Sequence, residues 1–459
     1  MNIAKKDLSS YTPAFKKILS LPALLKSIRE QFDKIAEPKT TVKDPEISFS
    51  NVIMSGLAVF ALKYPSLLKF DNNRKNHKIK SNLSSLFGIE RAPCDTQMRE
   101  RLDQLPALML RPAVIHIHKK LQQTGVINSY RHINGELLIA CDGTDYFRSE
   151  KVSCSSCNVK KKSNGVIEYS HQALGCSIVH PDKKQVFPLF HEDIHKKGNE
   201  TKNDCEQNAA KRLLPAIKEV YKNDKITILT DSINSKAPFV KLLISMDFNF
   251  ILAAKPGDHP FLFDTFDQFI KEGRTTEFEI IRNDGTILGY RFCNDLPLNK
   301  SNQDIRINFL EHWEIPAKGS YKNKEKVFTF VTQHPLEEKT VAAVAEGGRT
   351  RSKIENETFN TLKNNGYHFE HNYGHGKKHL ASVFVSLMFL MLLIDQRQEA
   401  CCSVFQSAYR AAQSRTALWE KMRGLFFAFY ILTWEDLYLS IANGNRAGIL
   451  RPNAYYDTS

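Results

Sequence analysis

The sequence predicts an α/β protein with a helical N-terminal domain and an antiparallel β insertion. Three observations carry that prediction. Apolar residues recur at three-and-four spacing up to about residue 125. From about residue 133 the pattern changes to short apolar runs of period two, later alternating with two helical stretches. Residues 256–345 then keep the strand-like runs and break the strand–helix alternation.

Composition sets outer limits on function. The chain has 459 residues, enough at roughly 150 residues per domain for about three domains or one large core with appendages. Hydrophobic residues make up 42% and charged residues 25%, an ordinary globular mix that excludes disordered, collagen-like and low-complexity classes. Lys and Arg number 64 against 50 Asp and Glu, a net charge of +14 that points to a polyanionic partner more readily than to a neutral metabolite. The 9 cysteines are scattered, with Cys401 and Cys402 adjacent, which fits a reducing cytoplasm rather than a secreted disulfide framework. The early apolar stretch is broken by Ser20 and Pro22 with no small-residue cleavage site after it, unlike a signal peptide. The most apolar run, residues 381–394, is expected to be a core helix too short to span a bilayer, so no membrane partner is expected.

The elements follow in order. Residues 13–35, 50–68 and 106–123 carry helical apolar spacing with Gly or Pro punctuation between them. A short helix from Ser81, a turn at Gly88 and a second helix capped near Asp95 or Thr96 form a unit that suits a helix-turn-helix and an ordinary helical hairpin equally well. Arg99 and Arg101 are placed on or near the exposed face of its second helix, as candidate DNA contacts. Strands are expected over 136–143, 171–180 and 185–194, then a helix over 205–221, a strand over 225–230, a helix over 236–246 and a strand over 249–254. Three meandering strands followed by helix, strand, helix, strand is the order of a ribonuclease-H-like mixed sheet. Four further strands are expected at 275–281, 287–292, 305–313 and 326–332, and a helix from Arg349 to a stop at Gly366.

The acids suggest the chemistry. Asp142 stands where an apolar strand runs out, and Asp231 ends the fourth strand of that core. Neighbouring strands would bring the two carboxylates together, where they repel unless something cationic lies between them. Oxygen-only ligands suit Mg²⁺ or Mn²⁺, and a pair of such ions can clamp the attacking and leaving oxygens of a phosphodiester. Glu355 supplies a third acid from a helix, with Glu357 about 200° away around a regular helix.

The wider constellation resembles a known family. Arg351-x₃-Glu355, followed by Phe359-x₂-Leu362-Lys363, is similar to the Y-x₂-R-x₃-E-x₆-K signature of bacterial insertion-sequence transposases of the DDE superfamily. The phrases Asp142-Gly-Thr-Asp-Tyr-Phe, Thr201-Lys-Asn-Asp-Cys-Glu-Gln-Asn, Ala254-Lys-Pro-Gly-Asp-His and Gly366-Tyr-His-Phe-Glu-His-Asn-Tyr-Gly-His-Gly add to it, and the resemblance spans roughly residues 90–400. It implies a ribonuclease-H-like core, a β-rich insertion before the last acid, paired Mg²⁺ or Mn²⁺ ions on Asp142, Asp231 and Glu355, and cut-and-paste strand transfer. It also implies Arg351 and Lys363 on phosphate, double-stranded DNA (terminal inverted repeats and target) as partner, a homodimer on that DNA, and a bacterial, nucleoid-associated location. Two positions depart from the signature: Gly348 stands where it has Tyr, and Lys363 lies one residue too far from Glu355. The alternatives are a nuclease with the same core that does not join strands, and an inactive transposase-derived DNA-binding protein.

The expected organisation is thus 1–125 helical and DNA-binding, 133–255 the first part of the catalytic core, 256–345 the β insertion, 346–400 the second part of the core, and 401–459 a helical C-terminal segment. Two other clusters stand out. Cys154-x₂-Cys157 could be half of a structural zinc site, with His171, Cys176, His191 and His195 downstream, but reduced loop cysteines are the favoured reading. His371, His375 and His379 are expected in a polar basic loop, since Gly374 and Gly376 interrupt a helix and Lys377 and Lys378 oppose a cation.

Overall fold

A computed structural model of the chain describes residues 18–39, 46–195, 204–232, 235–317, 326–371, 373–445 and 448–452. The start of the first expected helix, Thr201 to Asn203 of the quoted phrases, and Asn372 lie outside the described residues. Six helices come first: α1 (Leu21–Phe32), α2 (Phe49–Ala61), α3 (Leu67–Arg74), α4 (His77–Phe87), α5 (Asp95–Leu102) and α6 (Arg111–Gln123). Their starts are set by Ser48, Ser66 and Asn76, whose side chains accept first-turn N–H groups of α2, α3 and α4. Gly88, at φ 66°, closes α4 in the left-handed conformation that favours glycine.

Strands β1 (Leu137–Ser149), β2 (Asn158–Lys161), β3 (Ile167–Val179) and β4 (Phe187–Ile194) follow, then helix α7 (Glu206–Val220), β5 (Ile226–Thr230), α8 (Ala237–Ser245) and β6 (Asn249–Ala253). Helix α9 (Pro260–Lys271) precedes four strands, β7 (Thr276–Ile281), β8 (Ile287–Asn299), β9 (Asn302–Ile315) and β10 (Lys326–Thr332). Among the described residues all ten strands belong to one mixed sheet, in the order β4-β3-β1-β5-β6-β10-β9-β8-β7, with β2 sharing the outer edge of β3. Strands β1, β5 and β6 run parallel, β3 is antiparallel to β1, and β4 is antiparallel to β3. Strand β10 adds to β6 antiparallel, so the four late strands extend the sheet instead of standing apart from it. The protein is therefore α/β, with a mixed ten-stranded sheet.

Helix α10 (Val341–Arg349) leads into a π-helical turn, Ile354–Phe359, and the short α11 (Asn360–Asn364). This corrects the expected regular helix starting at Arg349: helix begins eight residues earlier, and its middle turn is wider than an α-turn. Next comes α12 (Leu380–Cys401), then α13 (Ser403–Ala412), α14 (Arg415–Ala428) and α15 (Trp434–Asn443). At 22 residues α12 is long and apolar enough to cross a bilayer, which corrects the expectation that this run is too short. What marks it as a core helix is burial: 83% of its apolar window is inside the protein. Its polar end is paired, with Lys63 Nζ 2.7 Å from Asp395 and Arg415 gripping both oxygens of Glu399 at 2.7 and 2.9 Å.

The early helices do not enclose a core of their own. Their apolar faces join one continuous hydrophobic core with α12, the C-terminal helices and the sheet. Asn82 on α4 is the clasp: its amide donates to the carbonyls of Phe426 and Phe429 at 2.9 and 2.8 Å, and its oxygen accepts from the Ile431 N–H at 2.8 Å.

Candidate active site

Strand register brings the two aspartates together. The last paired rung between parallel β1 and β5 joins Ala140 to Leu229, so Asp142 and Asp231, each two residues further on, fall level and on the same face. Both lie at the C-terminal end of that parallel pairing, the end at which open α/β sheets place their ligands. Asp142 Oδ1 accepts the Gly143 N–H at 2.9 Å. A Cβ at Gly143 would come 2.1 Å from the Glu206 carboxylate of α7, so a larger residue there would push that side chain aside.

The third acid is delivered by packing. On its other side Asp142 faces Gly175 of β3, and a Cβ at Gly175 would lie 2.9 Å from the Phe359 ring. The bare glycine lets the π-helical turn press its Phe359 and Ile354 onto the sheet, while the hydroxyls of Ser177 and Thr358 bond at 2.9 Å. Lys353, just before the turn, donates to the carbonyls of His180 and Pro181 at 2.6 and 2.7 Å, and also to that of Lys183, pinning the turn to the β3–β4 connection. Glu355 is thereby held within hydrogen-bonding reach of Asp142. Glu357 faces elsewhere, 3.9 Å from Arg415.

Arg351 sits between the acids, Nη1 3.2 Å from Asp142 and 2.8 Å from Glu355. The Asp142 carboxyl is pushed up to about 7: burial is the main cause, opposed by Arg351 and reinforced by the hydrogen bond with Glu355 and the nearby charge of Asp231. Half-buried, with two further acids and a guanidinium for neighbours, Asp142 belongs to a group of side chains that could hold a cation. The donors are carboxylate oxygens, a set that suits Mg²⁺ or Mn²⁺.

Comparison with models of protein families and with curated proteins gave no match to this chain.

Other expected site residues fall differently. The ammonium of Lys363 is 2.8 Å from Glu370. Arg99 is partly exposed and paired with Asp95 at 2.8 Å. Arg101 is a correction: it is only 1% exposed, its Nε 2.6 Å from Glu37 and both terminal nitrogens donating to the Ile47 carbonyl at 3.0 Å. With Met98 and Leu102 it forms the buried face of α5, so it offers nothing to DNA. Helix α4 is likewise held by the C-terminal segment through Asn82. Position 348 explains the missing tyrosine: a Cβ at Gly348 would already be 2.6 Å from the Phe330 ring.

A second cluster forms away from the acids. Cys154, Cys157, His171 and His375 place one ligand atom each within 4.8 Å of one another. Cys154 is held far below the ordinary thiol range, chiefly by hydrogen bonding with Cys157 and then, against its burial, with the two imidazoles; the same bond pushes Cys157 up. His375 thus leaves the basic loop expected for it, because its backbone is bent inward by Gly374 and Gly376, at φ 128° and 71°. His379, Lys377 and Lys378 stay with that loop, their N–H groups bound by the Asp103 carboxylate at 2.9–3.0 Å.

Proposed function

We propose that this protein is a DDE-type transposase with a ribonuclease-H-like core, which cuts DNA at the ends of its element and joins the freed ends to target DNA. The observation that carries the reading is the convergence of Asp142, Asp231 and Glu355, with Arg351 among them, from two neighbouring strands and a distant helical turn. The strand order β4-β3-β1-β5-β6, with the first three antiparallel and the last three parallel, is the order of that core and supports the reading. The π-helical turn removes one of the departures from the family signature. A π-turn accommodates one extra residue. It spans Ile354–Phe359, with Glu355 near its start, so an additional residue accommodated there would leave Lys363 close to the helical phase that the shorter spacing would give.

Asp142, Asp231 and Glu355 would hold Mg²⁺ or Mn²⁺, which supplies Lewis acidity to the phosphodiester and lowers the pKa of the attacking water. With a cation held there, Asp142 would serve as a carboxylate and the Arg351 guanidinium would be free to fork onto a phosphate. Lys363 offers a single charged contact beside it. The net charge of +14 suits binding to the DNA backbone.

The test is direct. With Mg²⁺ or Mn²⁺ and a duplex carrying the element's ends, purified protein should cut at those ends and join the 3′-hydroxyl to a second duplex. Asp142→Asn should stop both steps and leave DNA binding intact. Cleavage without joining would favour the nuclease, and activity in chelator would remove the metal-dependent reading.

A further inference from the structure

The second cluster carries an inference independent of the transposase reading. We propose that Cys154, Cys157, His171 and His375 bind one structural Zn²⁺ ion, which staples the far end of the β1–β3 hairpin to the loop that follows the Glu355-bearing turn.

The distances select the metal geometry. Zinc bonds to sulfur at about 2.3 Å and to imidazole nitrogen at about 2.0–2.1 Å, so a tetrahedral site has an S···S edge of about 3.8 Å and S···N edges of about 3.6 Å. Here Sγ of Cys154 and Sγ of Cys157 are 3.8 Å apart, Cys154 Sγ is 3.3 Å from His171 Nε2, and Cys157 Sγ is 3.6 Å from His375 Nε2. A square-planar ion with the same bonds would set the sulfurs about 3.3 or about 4.6 Å apart, and neither fits. A disulfide would need about 2.05 Å. Two soft thiolates and two imidazoles in tetrahedral array are a zinc set.

The surroundings fit a closed site. Cys157, His171 and His375 are buried and Cys154 is partly exposed, and Cys157 lies outside the continuous hydrophobic core. Both imidazoles turn Nε2 toward the sulfurs. On its other side His171 Nδ1 is 3.3 Å from the Tyr146 hydroxyl, which donates onward to Asp193 at 3.1 Å. That chain leaves the hydroxyl oxygen to accept from Nδ1–H, which frees the Nε2 lone pair for a metal, the usual outer support of a ligating histidine. The Phe147 ring covers His375, with centroids 4.2 Å apart. Four protein ligands leave no open position, so the ion's role is structural. It would join segments 218 residues apart, one continuous with the strand of Asp142 and the other following the turn of Glu355.

The experiment uses the full-length protein. After dialysis against a weak chelator, elemental analysis should find about one zinc per chain. Replacement by Co²⁺ should give the visible bands of a tetrahedral ion with a thiolate-to-metal charge-transfer band. Cys157→Ser and His375→Gln should each lose most of the bound metal, whereas Cys293→Ser, a buried cysteine elsewhere, should keep it. If the cluster variants do not fold, the Co²⁺ spectrum of the unaltered protein decides. Protein that retains no zinc and gives only the octahedral Co²⁺ spectrum, or that is isolated with a Cys154–Cys157 disulfide, overturns the proposal.

Discussion

Asp142 and Asp231 stand level on neighbouring parallel strands, two residues beyond the last shared rung at Ala140 and Leu229. The register that pairs the strands also fixes the acids, so neither carboxylate can shift along its strand without breaking the sheet beside it.

On the proposed reading, metal binding at these acids should depend on pH. The Asp142 carboxyl is raised from 3.8 to about 7, mainly by burial. Between those values the folded protein keeps a proton that the unfolded chain has lost. This contribution to stability is therefore fully present below about pH 4 and is lost as pH rises through about 7. A cation must displace that proton, so the rise in melting temperature caused by Mn²⁺ should grow from pH 5.5 to about pH 7 and level off above it. Thermal unfolding with and without Mn²⁺ at several pH values checks it; a pH-independent increment would refute it.

The two glutamates of the turn should separate cleanly. Glu355→Gln removes a charge beside Asp142 and should lower DNA cleavage by about 10²–10³-fold, the scale of losing one preorganised electrostatic contact. Glu357→Gln alters a long pair with Arg415 and a charge interaction with Lys353, and should leave the cleavage rate within about twofold, at a stability cost of at most about 1 kcal/mol. Single-turnover cleavage of both variants would show the reverse pattern if Glu357 were the third acid.

The π-turn can be tested by shortening it. Deleting the exposed Asn360 should let the wide turn relax to an α-turn, with Lys363 keeping its helical phase. The variant should fold, and its melting temperature should fall by only a few degrees. A deletion within a regular α-helix turns everything beyond it by about 100°, which would tear Phe359 or Leu362 from the core. Loss of the folded state would count against the extra-residue reading.

Arg101→Ala should act on stability and not on DNA. It leaves the Ile47 carbonyl and Glu37 without their partner, a cost of about 3 kcal/mol at the lower end of the range for broken buried pairs. Denaturant titration would measure that loss. At temperatures where the variant stays folded, its affinity for duplex DNA should match the parent at each salt concentration.

Strands are the most legible part of the fold, because runs such as Leu137–Ala140 and Ile226–Leu229 are mostly apolar, buried on both faces and bounded by turn residues. Helix α9 was overlooked although its signal is present: Pro260 at the first turn, then Leu262, Phe263, Phe266, Phe269 and Ile270 at helical spacing. The same spacing joins Met98, Arg101 and Leu102 and could have shown that Arg101 points inward. At the site, Asp142 and Asp231 were readable as strand ends, and Glu355 could be chosen over Glu357 by phase. The π-turn was not readable, since it is set by how Phe359 meets Gly175 and not by local propensity. His375 was hidden for a related reason: its sulfur partners are more than 200 residues away in the chain, and spacing rules see only neighbours.

The Asn82 clasp has a consequence for how the protein is made. The carbonyls it holds arrive 344 and 347 residues after it. At ribosomal speeds of about 5–20 residues per second, the first helices wait roughly 20–70 s for the segment that seals them. During that interval their apolar faces are unsealed and open to chaperones or to neighbouring nascent chains. A message cut short before the codon for Phe426 would yield a chain whose opening helices lack that seal.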